Sequence, residues 1–150
     1  MAAELKRTVL IVDSQHLWRT HLEALLCDEF LVTIASSYSE ALNHLSKQGA
    51  SFQVVITEIS LDEGDVYNEE GFEIIRHIQA AGKNVKTIIL THHATINRTC
   101  IAFRDYKVYD LVEKAPAIEK TPGTEEAPAP ETSFDGKGFL DKVRKAADEA

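Results

Sequence analysis

Four positions carry side chains that can bind ions or reacting groups, and each ends or follows a short apolar run. Asp13 follows Val9–Val12 and Glu58 follows Val54–Thr57, so two carboxylates come directly after apolar segments. Thr91 and Lys114 end the later segments TIILT and DLVEK. Carboxylates bind cations, whereas a hydroxyl and an ammonium group donate hydrogen bonds to anionic oxygens. The four side chains would form one site if the apolar runs were neighbouring strands.

Strand and helix patterns alternate along the chain. Continuous apolar runs rich in β-branched residues predict strands buried on both faces, and apolar residues at helical spacing predict helices. The fifth strand is partly polar, as is typical of an edge strand. The predicted strands are 8–12, 31–34, 52–57, 87–90 and 108–112, and the predicted helices are 14–29, 37–49, 71–81, 94–104 and 138–148.

Local end signals support several of these helices. Ser14 is the expected N-cap of the first helix, and Ser37 with Glu40 forms a capping-box pair for the second. Gly49 and Gly82 are the expected stops of the second and third helices.

Strict alternation of strands and helices predicts an α/β fold. The sheet should be parallel, with right-handed crossovers and helices on both faces. Functional residues of such sheets gather at the carboxyl ends of the strands. Asp13, Glu58, Thr91 and Lys114 are therefore expected at one edge of the sheet.

Composition limits the classes of function. The 150 residues contain 24 Asp and Glu against 16 Lys and Arg, a net charge of −8, which argues against nucleic-acid binding. No apolar run is long enough to span a bilayer and no signal segment is visible, so a cytoplasmic location without membrane contact is expected. Cys27 and Cys100 fall on separate helices and are expected to be free thiols. One domain covering 1–150 is predicted, with an extended Pro- and Glu-rich loop at 115–135.

Acidic residues are concentrated in one stretch. Seven of the 24 acids fall within residues 58–73, which contain no Lys or Arg. A solvated loop is the ordinary interpretation of such a run. Because the run starts at Glu58, it is expected to lie over the candidate site, where its charge could attract a cation or repel an anion; repulsion is favoured.

Six segments carry a resemblance to a known family through their order and spacing. They are VLIVDSQ (9–15), VVITEISL (54–61), EGFEIIRHI (70–78), TIILTHHA (87–94), DLVEK (110–114) and FLDKVRKA (139–146). Together they resemble the receiver domain of two-component response regulators. The resemblance implies a flavodoxin-like three-layer αβα sandwich with strand order 2-1-3-4-5 and five helices.

The resemblance also implies a role for each candidate residue. Glu58 stands at the phosphoacceptor position, and Asp13 with Ser14 stands at the acidic pair that holds Mg²⁺ together with the acceptor. Thr91 and Lys114 stand where the family senses the phosphoryl group. Leu111 stands where the family usually carries a switch aromatic.

Several of these positions depart from the family pattern. Glu58 is one methylene longer than the usual Asp, and Ser14 replaces one acidic metal ligand, so Mg²⁺ binding is expected to be weak or absent. Leu111 is not aromatic, and Lys114 is separated from Pro116 by Ala115. These departures predict an atypical, phosphorylation-independent receiver, a pseudo-receiver that is not an enzyme. By analogy with the family it would bind a histidine kinase or a downstream protein through the fourth helix, fifth strand and fifth helix, and a homodimer stays open.

Other interpretations remain open or are disfavoured. A conventional Mg²⁺-dependent phosphoacceptor in a phosphorelay is the main alternative. Asp13 could simply cap the first helix, and Lys114 could form a structural ion pair with Glu58 or Asp13. A transition-metal site formed by His16, His92 and His93 with Asp13 and Glu58 has no recognised ligand spacing. A flavin or nucleotide binder is disfavoured because VDSQH contains no glycine, and no Ser or Cys shows the context of a nucleophile.

Overall fold

The fold was examined in a computed structural model that describes residues 6–47, 51–114 and 134–150. In this part of the chain, five strands form one sheet in the order β2-β1-β3-β4-β5, and every neighbouring pair is parallel. The predicted sheet order is therefore confirmed, and β5 lies at an edge as its polarity indicated. The strands are β1 Arg7–Val12, β2 Phe30–Ala35, β3 Val54–Thr57, β4 Lys86–Thr91 and β5 Asp110–Glu113.

Five helices in the same ranges connect the strands and complete the predicted three-layer sandwich. The final helix follows residues 115–133, so most of the predicted 115–135 loop lies outside the described residues. The helices are α1 His16–Leu26, α2 Tyr38–Ser46, α3 Glu70–Ala80, α4 Ile96–Arg104 and α5 Gly136–Glu149.

Alternating strand residues supply the cores on both faces of the sheet. On β1, Val9 and Ile11 pack in the cluster that contains α1 and α5 residues. Leu10 and Val12 point to the other face, into the cluster with α2 and α3 residues. Ile89 of β4 packs in a third cluster with residues of α3 and α4. Because both faces are covered, the stretches Val9–Val12 of β1, 54–56 of β3 and 88–90 of β4 are apolar throughout, which explains the continuous runs in the sequence.

Capping decides several helix ends. The Ser37 hydroxyl accepts a hydrogen bond from the Glu40 amide at 3.2 Å, as the capping pair predicted. The Glu40 carboxylate accepts from Ser36 Oγ at 2.8 Å instead of returning to the Ser37 amide. Gly82 ends α3 with a φ of +68°, a left-handed conformation that suits glycine. Gly49, the predicted stop of α2, lies outside the described residues.

The predicted start of α1 at Ser14 is wrong. The residue before α1 is Gln15, and its side chain makes no capping hydrogen bond. The Asp13 carboxylate accepts a hydrogen bond from the Gln15 amide at 2.9 Å, which forms a local turn between β1 and the helix. The N-cap therefore lies one residue later than predicted, at Gln15 instead of Ser14.

Candidate functional site

Strand register brings the predicted site residues to one edge of the sheet. Val12 of β1 pairs with Thr57 of β3, so the next residues, Asp13 and Glu58, leave the sheet side by side. Thr91 of β4 pairs with Glu113 of β5, which places Lys114 immediately beyond the last pair. All four site side chains are buried, with Asp13 and Glu58 the most accessible at 2% and 3%. The convergence expected at the carboxyl ends of the strands is therefore present.

The Lys114 ammonium lies between the two carboxylates. Its Nζ is 2.6 Å from Asp13 Oδ2 and 3.0 Å from Glu58 Oε2. Burial removes most of the hydration of all three charges, so each depends on the others for compensation. The side chains thus form one buried ion-paired group, named here the Lys114 triad: Asp13, Glu58 and Lys114.

Backbone amides fix the Glu58 carboxylate in place. Oε1 accepts a hydrogen bond from the Ile59 amide at 2.7 Å, and Oε2 accepts from the His92 amide at 3.1 Å. Since Oε2 also faces Lys114, both oxygens are engaged. The carboxylate is held by the β3 end, the β4 end and the lysine together.

Asp13 is held in a similar way and carries a perturbed pKa. Its Oδ1 accepts from the Gln15 amide, and its carbonyl accepts from Arg19 Nη1 at 2.8 Å. Burial raises the pKa of the Asp13 carboxyl above its ordinary value of 3.8, and the Lys114 ammonium opposes this shift. Asp13 therefore contributes to the fold as part of the triad and orients the start of α1.

Trp18 closes the triad from the side of α1. Its indole ring centroid is 5.0 Å from Lys114 Nζ, within the range of a cation–π contact. The ring also meets His92 and Phe134 edge to face, at centroid distances of 5.8 and 5.1 Å. Gln15 Oε1 lies 3.5 Å from Lys114 Nζ. Trp18 is itself buried, so the ring separates the ammonium from solvent.

Thr91 and Leu111 occupy different surroundings. Thr91 is fully buried, and its hydroxyl oxygen accepts a hydrogen bond from the His93 amide at 2.9 Å. Leu111 is half-buried on β5 and packs against the cluster shared by α3 and α4. Thr91 thus orders the loop after β4, and Leu111 contributes to a core.

The acidic loop between β3 and α3 is ordered by its own polar groups. Asp62 Oδ1 accepts from the Gly64 amide and Asp65 Oδ1 accepts from the Tyr67 amide, both at 2.9 Å. Ser60 Oγ donates to the Asp62 and Asp65 carbonyls at 3.0 and 2.8 Å. The acidic residues therefore give the loop its negative charge and also hold its backbone conformation through hydrogen bonds.

Gly71 allows α3 to begin directly beside the triad. A Cβ at this position would lie 2.0 Å from the Glu58 carbonyl oxygen and 2.9 Å from Ile59 Cα. The Gly71 amide donates to the Ile59 carbonyl at 2.9 Å. Only glycine permits this approach, because any side chain would collide with the backbone that carries Glu58.

Comparison with known proteins identifies the family. Residues 9–121, most of the chain, match the family model described as the response regulator receiver domain. The chain belongs to the response regulator receiver family. It is a receiver domain of a response regulator in two-component signalling, in which receivers interact with kinases and downstream proteins.

Solved receiver structures share the fold at low sequence identity. The signal receiver domain of an HD domain-containing protein from Pseudomonas fluorescens Pf-5 has a TM-score of 0.73 at 20% identity, and 97% of each chain is covered. A CheY-like receiver from Methanospirillum hungatei JF-1 has a TM-score of 0.71 at 17% identity, with 97% of this chain and 96% of the other covered. The non-phosphorylated HemR receiver from Leptospira biflexa has a TM-score of 0.67 at 22% identity, with 95% and 94% covered. No curated protein matches this receiver.

The receiver offers few ligands for a metal ion. Within residues 6–47, 51–114 and 134–150, no cluster of three or more His, Cys, Asp or Glu is placed to hold one. His16 is exposed, whereas His92 and His93 are half-buried in the loop after β4. Asp13 and Glu58 come together, but Lys114 lies against both carboxylates. Mg²⁺ is usually held by one or two carboxylates together with water, so in this arrangement the ion would compete with the Lys114 ammonium for both carboxylates.

Two further predictions from the sequence concern membrane-spanning segments and the two cysteines. Among the helices that the structure describes, none has both the length and the apolar character needed to cross a membrane. Cys27 and Cys100 are both exposed free thiols, as predicted.

Sequence reasoning missed the roles of Trp18 and Gly71. The sequence indicates Trp18 as a core residue of α1, but its contact with Lys114 joins residues far apart in the chain and depends on the packing of the whole domain. The signal that was available is its place in the first helix, five residues after Asp13 and on the inward face. Gly71 was visible only as the first residue of a predicted helix, and its close approach to Glu58 follows from tertiary packing.

Proposed function

We propose that this chain is a phosphorylation-independent receiver that signals through protein–protein interaction. The observation that carries the proposal is the position of Lys114 Nζ, within 3.0 Å of both Asp13 and Glu58 in a buried site. One internal cation already pairs with both carboxylates that would otherwise hold Mg²⁺ and accept a phosphoryl group. The two carboxylates therefore have a partner within the protein when neither ligand is bound.

The contacts of Glu58 support this assignment. A nucleophilic oxygen must approach the phosphorus of a donor in line, and a misplacement of about 1 Å can lower the rate about a hundredfold. Glu58 is one methylene longer than Asp, and its oxygens face Ile59 N, His92 N and Lys114 Nζ. Reaction would require the carboxylate to leave these partners.

Magnesium binding is proposed to be weak. Mg²⁺ is usually held by one or two carboxylates together with water, and Ser14 removes one acid from the family's set. The ion would have to displace Lys114 from Asp13 and Glu58 before it could coordinate them.

The partner face is proposed to be formed by α4, β5 and α5. Phe103 is an exposed aromatic near the end of α4, and Lys142 of α5 pairs with Asp110 of β5 at 2.5 Å, so the ion pair ties the helix to the edge strand. Leu111 replaces the usual aromatic, so recognition would not depend on rotation of an aromatic side chain. A histidine kinase or a downstream signalling protein is the proposed partner, a homodimer is a second form of assembly, and nucleic acid is not an expected partner of this acidic domain. We further propose that residues 1–150 form one cytoplasmic receiver domain.

A conventional phosphoacceptor is the second candidate function. One observation favours it: Asp13, Glu58, Thr91 and Lys114 still converge at the family's positions. In that case the Lys114 triad would open to admit Mg²⁺ and a phosphodonor.

Incubation with Mg²⁺ and acetyl phosphate separates the two candidates. The wild-type chain is expected to show no stable mass gain by intact mass spectrometry, and Mg²⁺ titration is expected to leave Trp18 fluorescence nearly unchanged. The double variant Ser14→Asp/Glu58→Asp restores the family's acids and should gain one phosphoryl group, which verifies that the donor is competent. A matched Ser14→Asp/Glu58→Asn variant should gain none. Stable phosphorylation of wild-type Glu58 or Asp13 would show that the proposal is wrong.

A further inference from the structure

Three large apolar side chains are exposed next to the acidic loop. Val66 and Tyr67 of the loop are 52% and 85% exposed, and Ile96 at the start of α4 is 87% exposed. Single exposed apolar residues are common, but several of them on neighbouring segments indicate an interaction site. These three residues are named here the loop–α4 patch.

Arg98 holds the two parts of the patch together. Its Nη2 donates to the Val66 carbonyl at 2.9 Å, and its Nε donates to Glu69 Oε2 at 3.1 Å. Its Nη1 also donates to the His93 carbonyl at 3.2 Å. Since Arg98 lies in the first turns of α4, these bonds fix the acidic loop against the helix end that carries Ile96.

The loop presents its apolar residues from an ordered backbone. The turn in which Asp65 accepts from the Tyr67 amide fixes the chain on either side of Val66. Asn68 Oδ1 accepts from the Leu61 and Glu70 amides at 3.1 and 3.0 Å and closes the base of the loop. A preorganised surface loses less conformational entropy when it binds a partner. The exposed Tyr67 side chain on this ordered loop is therefore suited to binding another protein.

The surroundings of the patch are strongly acidic. The loop carries Asp62, Glu63 and Asp65 close to Val66 and Tyr67, and residues 58–73 contain no Lys or Arg. Arg98 contributes little positive field because it pairs with Glu69 and its side chain is only 12% exposed. The patch thus combines exposed apolar side chains with negative charge on its loop side.

We propose that the loop–α4 patch docks a basic segment of a partner protein through a large apolar side chain flanked by Lys or Arg. Apolar contact would supply the anchor, and the acidic residues of the loop would favour basic sequences and accelerate association. The inference rests on the proposed role as an interaction module. It concerns the acidic loop and the first turn of α4 instead of β5 and α5, and it does not involve the chemistry of Glu58.

Charge argues against two other occupants. A symmetric dimer through the patch would bring the acidic loops of two chains together, and each chain has a net charge of −8. Residues 115–133 of the same chain contain Glu119, Glu125, Glu126 and Glu131 against a single Lys120. A second copy of the chain and residues 115–133 would each bring negative charge close to the acidic residues beside the patch.

Selection from a phage library of random linear peptides tests the proposal without assuming a partner. Peptides that bind the wild-type domain are expected to be rich in Lys and Arg and to contain a large apolar residue. Binding of a selected synthetic peptide should weaken about tenfold in Tyr67→Ser/Ile96→Ser and should fall as salt increases. Glu63→Lys should weaken it as well.

Matched controls exist elsewhere on the surface. Leu31→Ser removes an apolar side chain that is 56% exposed on the edge strand β2, and Glu23→Lys reverses an exposed acid on α1. Neither should affect peptide binding, and melting temperatures should show that all variants fold. Failure to select any patch-dependent peptide, or selection of peptides without basic residues, would overturn the inference. The acetyl phosphate experiment measures the mass of the protein and does not depend on peptide binding. The proposed phosphorylation independence and the proposed docking patch can therefore be contradicted separately.

Discussion

At the scale of single residues, the Lys114 triad brings opposite charges together in a buried site. Asp13 Oδ2 and Glu58 Oε2 lie 2.6 and 3.0 Å from the shared ammonium, and all three side chains are almost wholly buried. A buried charge that loses its partner is far more costly than the pair is favourable, because hydration cannot replace the partner. The three residues therefore depend on one another for stability, whatever their role in signalling.

Replacing Lys114 tests this dependence. Lys114→Met should lower the free energy of unfolding by about 3–5 kcal/mol, because Asp13 and Glu58 would remain buried beside each other without a cation. Urea denaturation followed by far-UV circular dichroism would measure the loss. The triple variant Asp13→Asn/Glu58→Gln/Lys114→Met removes all three charges and should be less destabilised than Lys114→Met alone. A cost of less than about 1 kcal/mol for the single variant, typical of exposed pairs, would contradict the description of the triad as buried and interdependent.

At the scale of elements, the junction between β3 and α3 determines how closely a helix can approach the site. Hydrogen bonds of Ser60, Asp62 and Asp65 hold the acidic loop in its turn. The loop leads into α3, which begins against the Glu58 backbone. Gly71 makes that contact possible. The loop is thus both the acidic surface of the domain and the connection that places α3.

Gly71→Ala should disturb this junction. The new Cβ would overlap the Glu58 carbonyl oxygen, so α3 must shift, and the free energy of unfolding should fall by about 1–3 kcal/mol. The Glu58 and Ile59 amide signals in NMR spectra should move with it. Gly64→Ala is the matched control in the same loop, since its Cβ would meet only Asp62 Oδ1 at 3.4 Å. Equal effects of the two substitutions would argue against a special role for Gly71.

At the scale of the whole molecule, ion pairs join the last helix to the beginning of the chain. Arg144 of α5 pairs with Glu29, between α1 and β2, and Arg7 of β1 pairs with Asp148. Val143 and Phe139 of α5 pack in the same core cluster as Trp18. The C-terminal helix therefore covers the sheet face on which the triad is closed by the indole ring.

The Glu29–Arg144 pair predicts a pH-dependent contribution to stability. The hydrogen bond from Arg144 lowers the pKa of Glu29 below its ordinary value of 4.5. A depressed folded-state pKa means that the contribution is complete above the unfolded pKa and is lost as pH falls through the folded pKa. The melting temperature of Glu29→Gln should thus lie below that of the wild type at neutral pH and approach it in acid.

An exposed acid on α1 provides the control for this measurement. Glu23→Gln should leave the melting temperature close to that of the wild type across the same pH range. A difference between wild type and Glu29→Gln that stays constant with pH would show that the pair does not contribute through ionisation of Glu29.

The sequence by itself determined the elements, the strand-end positions of the site residues and the fold class. Runs such as Val9–Val12 and Val54–Thr57 become strands because both faces of a parallel sheet are buried, and this pattern is local. Ser37 and Gly82 likewise act through neighbouring backbone groups. The N-cap of α1 differs by one residue from the prediction because the Asp13 carboxylate accepts a hydrogen bond from the Gln15 amide, a detail of turn geometry.

An ion pair of Lys114 with Asp13 or Glu58 could be expected from the sequence, but only the tertiary structure decided that the ammonium contacts both carboxylates. Gln15 and Lys114 lie 99 residues apart in the sequence, and no local pattern shows that the ammonium sits between Asp13 and Glu58 beneath the Trp18 ring. The Arg98 contacts that fix the acidic loop against α4 also join distant segments. Such contacts depend on strand register and on how the helices cross the sheet. The residue types at the site can therefore be read from the chain, but their charge balance and accessibility arise only when the whole domain packs.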